Sequence, residues 1–375
     1  MIFSALCVGC VSTKSLAELE LNQNVAENVK ANSKQLKNSP LQTVLDTAVE
    51  DLDIPGVVMY ISGPKGTWIG ASGYSDLESK TLMKPNDRLA LASVSKTFVG
   101  VTVLKLVEQG QLNLDKSIDN YLPKDISQNI RYSDEITVRQ LLNHTSGIID
   151  YLDDNFGELT EGRSRSRPWT AKEVIKLIYG ESQAKPGKKH DYSNSNYILL
   201  ELIVEEKTGK SLAEVIREQI LNPIGLKNTF TELRERKSTS IVTGYSDTNE
   251  DGILHSHKEL NEGNGLGDGG LISNAIDTAK FIDALVAKKT LLSPKMLNEM
   301  LTFIPTVEGD EYGLGIARFQ THAGEAIGHD GNSYGFVSLM LHYPDENITA
   351  IVLVNKDGDF TQEILNKGLK AYMQS

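Results

Sequence analysis

"LASVSKTFVG", residues 91–100, sets Ser93 and Lys96 three residues apart at the head of an apolar run. On a helix, side chains at i and i+3 share a face, so Lys96 can approach the Ser93 hydroxyl. The helix N-terminus adds positive potential and free N–H groups. A hydroxyl is a weak nucleophile and needs both a base and stabilisation of the oxyanion it creates. The competing reading is structural: serine is a favoured N-cap, and the lysine behind it is then a solvated side chain. Two other Ser-x-x-Lys pairs occur, Ser62 with Lys65 and Ser182 with Lys185. Gly63-Pro64 follows Ser62 and Pro186-Gly187 follows Lys185, so neither pair sits on a regular helix. Ser93 alone opens one, expected from Ser93 to about Gln109 with Gly110 as its terminator.

Working outward, folded structure is expected to begin at Ser39-Pro40, a cap with proline at the first helical position. Leu41, Val44, Leu45, Ala48, Val49 and Leu52 then recur at helical spacing until Pro55-Gly56. "VVMYIS", the turn "GPKG" and "TWIGASGY" read as a β-hairpin. Helical patterns dominate from about 111 to 290, "SLAEVIREQILNPIGL" being the clearest. "YGLGIARFQ", "EAIGHDG", "YGFVSLMLHY" and "NITAIVLVN" read as successive antiparallel strands, closed by a helix from Thr361 to Met373. The expected fold is α/β in the α+β sense: one antiparallel sheet flanked by helices, joining the first hairpin to the last strands. The sheet part takes 39–110 and 291–375, a mainly helical part takes 111–290, and the groove between them is the natural place for a site.

Bulk properties narrow the function. With 39% hydrophobic and 23% charged residues, the 375-residue chain is ordinary for a globular protein. Its formal charge of −12 argues against a nucleic-acid partner, which would need a basic face. The basic cluster Arg163, Arg165 and Arg167 alternates with serine and reads as a solvated loop. Both cysteines, Cys7 and Cys10, lie in the first ten residues, so the folded body carries no disulfide or thiol chemistry. "MIFSALCVGCVSTK" reads as the end of an export signal over 1–10, and the polar stretch 11–38 suits a tether. Val8-Gly9-Cys10 resembles a bacterial lipoprotein processing site, with Cys10 lipidated and the protein held at the cell envelope.

Two further clusters carry chemistry. Tyr192-Ser193-Asn194 is the one Tyr-x-Asn among thirteen tyrosines, in a Ser/Asn-rich loop ahead of an amphipathic helix. Such a loop can present a phenol and an amide to a groove; the alternative is that Ser193, Asn194 or Asn196 caps the helix. His329-Asp330-Gly331 ends a strand, where Gly331 would let a substrate lie against the backbone of an edge strand. The rival His322-Ala323-Gly324 reads as a hairpin turn.

Ser-x-x-Lys, Tyr-x-Asn and His-x-Gly in this order resemble the serine β-lactamase-like and penicillin-binding proteins, in the class C β-lactamase and DD-peptidase branch. "ITVRQLLNHTSGI", "YSNSNYILLELIVEEKTGKSL", "GLGDGGLISNAIDTAKFI" and "YGLGI" add to the likeness, which covers roughly residues 40–375. The resemblance implies that Ser93 is acylated and that Lys96 and Tyr192 shuttle its proton, the phenol's pKa being lowered by the neighbouring ammonium. It implies that Asn194 hydrogen-bonds the substrate amide or Lys96. His329 would stand where most class C β-lactamases have lysine, and the N–H groups of Ser93 and Asn332 would form the oxyanion hole. No cofactor or metal is implied. His-x-Gly in place of Lys-Thr-Gly points to D-amino-acid-containing peptides, as for a D-alanyl-D-alanine carboxypeptidase. The alternatives are an esterase or β-lactamase using the same serine, and a penicillin-binding sensor that acylates without turnover. The substrate is a small molecule or peptide in each case. Asp330 would repel carboxylates if it faced the pocket, but strand alternation is expected to turn it away from the face of His329.

Gly265-Leu266-Gly267-Asp268-Gly269-Gly270 satisfies GxGxxG, yet polar residues precede it where a nucleotide site needs a strand. Close backbone approach near the groove explains these glycines better. Asp247, Asn249, Asp251 and Gly252 match half a calcium loop, but Lys258 stands at the twelfth position. His255 and His257 lack the further ligands of a zinc site.

Overall fold

A computed structural model of the chain describes residues 39–152, 168–181, 184–235, 241–247, 252–257, 265–307 and 309–375. Helix α1 (Pro40–Asp51) starts where Ser39 Oγ accepts the Gln42 N–H, with proline in its first turn, and buries Leu41, Leu45 and Ala48. Strands β1 (Gly56–Gly63) and β2 (Gly66–Asp76) form the hairpin, extended by β3 (Thr81–Leu82). Strand β4 (Leu89–Ala90) leads through a single 3₁₀ turn at Ala92–Val94 into α2 (Ser95–Glu108). This turn differs from the expected helix over 93–109: Ser93 sits in the turn, and its side chain caps nothing.

The middle of the chain holds α3 (Val138–Leu142), α4 (Ser195–Thr208) and α5 (Ala275–Ile282). "SLAEVIREQILNPIGL" folds as an α-helix over Leu212–Ile216 that widens into a π-helical turn at Arg217–Leu221. Short strands occur here too: β5 (Phe230–Thr231), β6 (Tyr245–Ser246), β7 (His255–Ser256) and β8 (Leu271–Ser273). Strands β4, β8 and β5 form a three-stranded sheet, and β6 pairs with β7. The end of the chain supplies β9 (Ile304–Pro305), β10 (Glu311–Tyr312), β11 (Ala317–Thr321), β12 (Gly324–Ser333), β13 (Phe336–Tyr343), β14 (Ile348–Val354) and α6 (Thr361–Gln374). His322-Ala323 makes the β11–β12 turn.

The nine-stranded sheet runs β3-β2-β1-β14-β13-β12-β11-β10-β9, with β1 pairing antiparallel to β14. First hairpin and last strands thus share one sheet. Every residue of β13 and β14 is buried because both faces are covered. Val352 and Val354 point to α1 and α6, while Ile351 and Leu353 point to the core shared with α2 and α5. Helix α5, grouped on sequence with the helical part, lies against the sheet, touching β1, β13 and β14. Among the described residues no helix is long and apolar enough to cross a membrane.

The sheet also prepares an open edge. β11 pairs with β12 as far as Gly328, and beyond it His329–Ser333 pair with β13 alone. The 3₁₀ turn carrying Ser93 packs against this stretch.

Candidate active site

Ala92, the residue before Ser93, is buried and holds φ at +45°, a conformation that L side chains adopt at a cost. Its surroundings impose this: Leu91 N–H donates to Leu271 O at 2.8 Å, and Ser95 Oγ accepts the Leu271 N–H at 3.0 Å. The strained turn leaves Ser93 half-buried while its neighbours are enclosed. The N-cap reading of Ser93 is thereby replaced.

Lys96 is wholly buried on the first turn of α2. Its Nζ lies 2.9 Å from Ser93 Oγ, 2.7 Å from Asn194 Oδ1 and 2.7 Å from the Asp268 carbonyl. Burial lowers its pKa to about 8, against the pull of the carboxylates of Asp268, Asp150 and Asp330. Each neighbour is itself fixed: Asn194 Nδ2 donates to Asp150 Oδ2 at 2.7 Å, and the Tyr151 hydroxyl donates to Asp268 Oδ2 at 2.7 Å. Asn194 therefore meets the lysine, one of the two roles expected of it.

Tyr192 arrives on the loop before α4. No side chain of Ser193, Asn194 or Asn196 caps that helix. Ser193 Oγ donates to Ile149 O at 3.0 Å, and Asn196 Oδ1 accepts from Ser146 at 2.6 Å. His144 organises the loop. Its Nδ1 accepts the Ser193 N–H at 3.1 Å and lies 3.1 Å from Asn196 Nδ2, and its ring stacks on Tyr192 at 4.1 Å. Burial holds its pKa well below the ordinary value, so the ring is neutral with its proton on Nε2. That N–H finds no acceptor among the described residues.

The Lys96 ammonium sits 5.0 Å from the Tyr192 ring centre. The expected lowering of the phenol's pKa nevertheless does not occur. Although 36% of the residue is exposed, the packing around its hydroxyl pushes the phenol well above its usual value, outweighing a hydrogen bond with Ser93. Tyr192 is a phenol at neutral pH and carries a proton to give.

His329 is buried on β12, opposite Met340. Its Nδ1 lies 2.6 Å from the Asp330 carbonyl, an acceptor only, so the proton sits there. Nε2 then accepts the Tyr312 hydroxyl at 2.7 Å. Both ring nitrogens are satisfied within the protein, and burial keeps the imidazole neutral. Gly331 faces the nucleophile: a Cβ there would come within 2.5 Å of Leu91 O and 3.0 Å of Ser93 N. The absence of a side chain is demanded by this protein contact. Asn332 follows, exposed on the open edge. Asp330 departs from expectation. Its side chain is 67% exposed, but Oδ1 lies 3.6 Å from His329 Nδ1, and its charge acts on Lys96, Tyr192 and Tyr312. Strand alternation turns it out of the core without removing it from the site.

The rival motifs lie elsewhere. Ser62 bonds Thr67, and Lys65 reaches the Met373 carbonyl at the far hairpin. Cys10, the arginines 163–167, Ser182, Asn249, Asp251 and Lys258 fall outside the described residues. Asp247 accepts the Gly252 N–H at 2.9 Å. His257 bonds the Ser246 hydroxyl. Among the described residues no group of three or more His, Cys, Asp or Glu could hold a metal.

Sequence reasoning missed Asp150, Tyr151, Asp268, Tyr312 and the part played by His144. The glycine-rich stretch was the available signal for Asp268. A Cβ on Gly270 would fall 2.5 Å from Gly265, so the loop closes on itself and aims the Asp268 carbonyl at Lys96.

A hydroxyl, a lysine of depressed pKa and a protonated phenol thus converge beside an open strand edge, the equipment for acyl transfer. Known proteins with this fold agree. Penicillin-binding protein 4* of Bacillus subtilis is 28% identical over 352 residues, 88% of this chain and 74% of its own. The D-stereospecific amidohydrolase of a Streptomyces species superposes with a TM-score of 0.77 at 28% identity, over 88% of this chain and 97% of that one. The D-amino acid amidase of Ochrobactrum anthropi SV3, in complex with L-phenylalanine amide, gives 0.78 at 25% identity, over 89% and 98%. A family model described as Beta-lactamase matches residues 41–371. With that match over nearly the whole described fold, the chain belongs to the Beta-lactamase family and is a serine hydrolase.

Proposed function

We propose that the enzyme hydrolyses amide bonds of D-amino-acid-containing compounds through an acyl-enzyme at Ser93. The Lys96 amine, 2.9 Å away, takes the Ser93 proton as Oγ attacks the carbonyl carbon. The N–H groups of Ser93 and Asn332 receive the developing oxyanion. The Tyr192 phenol gives its proton to the leaving nitrogen as the C–N bond breaks, and is recharged from Lys96. Water then attacks the ester, with its proton passing back through the same groups and Ser93 Oγ leaving. Asn194, Asp150, Asp268 and Tyr151 hold Lys96 in place; His329 and Tyr312 brace the strand behind it.

The observation that carries this reading is the buried Lys96, bonded to Ser93 and lowered to about 8, in a fold shared with a D-stereospecific amidohydrolase and a D-amino acid amidase. The test is a panel of D- and L-phenylalanine amide, an N-acyl-D-alanyl-D-alanine peptide, nitrophenyl esters and a chromogenic cephalosporin. The reading expects D-amides to be cleaved in preference to L-amides. Cleavage of esters alone, or an L preference, overturns it. We further propose that a lipid on Cys10 holds the enzyme at the cell envelope, supported by Val8-Gly9-Cys10 and the polar stretch behind it. Loss of labelled-palmitate incorporation in Cys10→Ala is the expected result; unchanged incorporation contradicts it.

A further inference from the structure

The carboxylates around Lys96 are not equivalent. Asp268 is buried and bonded by the Tyr151 hydroxyl. Asp150 accepts from Asn194 Nδ2 and from the Leu152 N–H. Asp330 accepts no hydrogen bond at its carboxylate among the described residues, and 67% of its side chain is open to solvent. Its neighbour His329 is neutral, both nitrogens being used, and returns no charge to it. Asp330 also precedes Gly331, whose backbone lies against the Ser93 amide, and its charge reaches both Lys96 and Tyr192.

The surroundings share its sign. The charges acting on Lys96 are Asp268, Asp150 and Asp330, all carboxylates. Those acting on Tyr192 are Asp330, Tyr197 and Asp268, again all acidic groups among the described residues. Among the described residues, the fixed charges acting on Lys96 are thus all negative.

We propose that Asp330 sets the charge preference of the site, favouring substrates that carry an ammonium group near the scissile bond and rejecting those that carry a carboxylate in that region. Resting on the amide-hydrolase reading above, this narrows it from carboxypeptidase-like cleavage of carboxylate-terminated peptides towards amides of D-amino acids with a free amine. The energetic reason is Coulombic: an unpaired carboxylate attracts one substrate and repels the other, so the ratio of the two feels it twice.

The test uses three D-alanine acyl groups that differ in charge: D-alanyl, N-acetyl-D-alanyl and N-succinyl-D-alanyl, each as 4-nitroanilide and as 4-nitrophenyl ester. kcat/KM is measured for the full-length enzyme and for Asp330→Asn, with Asp330→Glu as the charge-retaining control. The cation-to-anion ratio is expected to fall about tenfold in Asp330→Asn, to survive in Asp330→Glu, and to shrink with added salt in wild type. A ratio unchanged within twofold in Asp330→Asn, or insensitive to salt, overturns the proposal. The esters keep the two readings apart. Failure to cleave any anilide sinks the amide reading, while the ester ratio still decides the role of Asp330.

Discussion

Replacing His144 by phenylalanine tests how the phenol is positioned. The ring that stacks on Tyr192 at 4.1 Å is kept, but the Nδ1 acceptor is lost. Two donors depend on that acceptor, the Ser193 N–H and Asn196 Nδ2, each at 3.1 Å and each in a buried residue. A buried donor left without a partner costs about 1–3 kcal/mol, so holding the loop unchanged would cost roughly 2–6 kcal/mol. Moving the loop is the cheaper response, and Tyr192 moves with it. A displacement of about 1 Å at a reacting group costs on the order of 100-fold in rate. His144→Phe should therefore remain folded at reduced melting temperature and acylate about 100-fold more slowly, read as the nitrophenol burst in stopped flow. His144→Asn restores an acceptor near the Nδ1 position and should recover most of that rate despite losing the ring. Because burial keeps His144 neutral, the pH profile of His144→Asn should match that of wild type. A folded His144→Phe acylating within threefold of wild type would refute the reasoning, as would equal slowing in the phenylalanine and asparagine variants.

The Lys96 pKa near 8 predicts that kcat/KM rises about tenfold per pH unit below 8 and levels above it, since the active form is the neutral amine. Asp150→Asn removes a carboxylate that raises this pKa, so the inflection should move to lower pH; an upward move, or a flat profile from pH 6 to 9, contradicts the assignment. The same shift has a stability consequence. The folded value of about 8 lies below the ordinary lysine value of 10.5, so the unfolded chain binds more protons between them, and the contribution of Lys96 to stability rises with pH across that window. Denaturant titrations of Lys96→Met should lack this rise. Gly331→Ala places a methyl 2.5 Å from Leu91 O and 2.7 Å from Ser338 Oγ, so the nucleophile turn must shift. A stability loss of about 1–3 kcal/mol with a larger fractional loss of acylation is expected; wild-type kinetics would show that the turn tolerates the shift.

Much of this fold was readable because periodicity and punctuation agree along the chain. Ser39-Pro40 caps α1 as expected, and the short apolar runs of β1, β2 and β11–β14, set off by turns, placed the sheet. Ser93, Lys96, Tyr192 and Asn194 declared themselves by spacing and converge in space. What stayed hidden depends on tertiary structure. Asp268 acts on Lys96 through a carbonyl that every residue possesses, so its side-chain identity gave no sign of it. Tyr312 meets His329 across strands seventeen residues apart in sequence. The helix starts two residues later than its sequence pattern implies because Ala92 is held at φ +45° by the contacts of its neighbours to Leu271, not by its own propensity. The phenol's pKa was expected to follow its nearest charge; burial, which no local pattern records, decides it instead.

The most direct test of the central claim is rapid acid quench during turnover of N-acetyl-D-alanine 4-nitrophenyl ester, followed by intact mass and peptide mapping. Wild type should gain the mass of one N-acetyl-D-alanyl group on the peptide containing Ser93, and Ser93→Ala should gain none and lose its activity. An adduct on another residue, or undiminished turnover by Ser93→Ala, would contradict the assignment of Ser93 as the nucleophile.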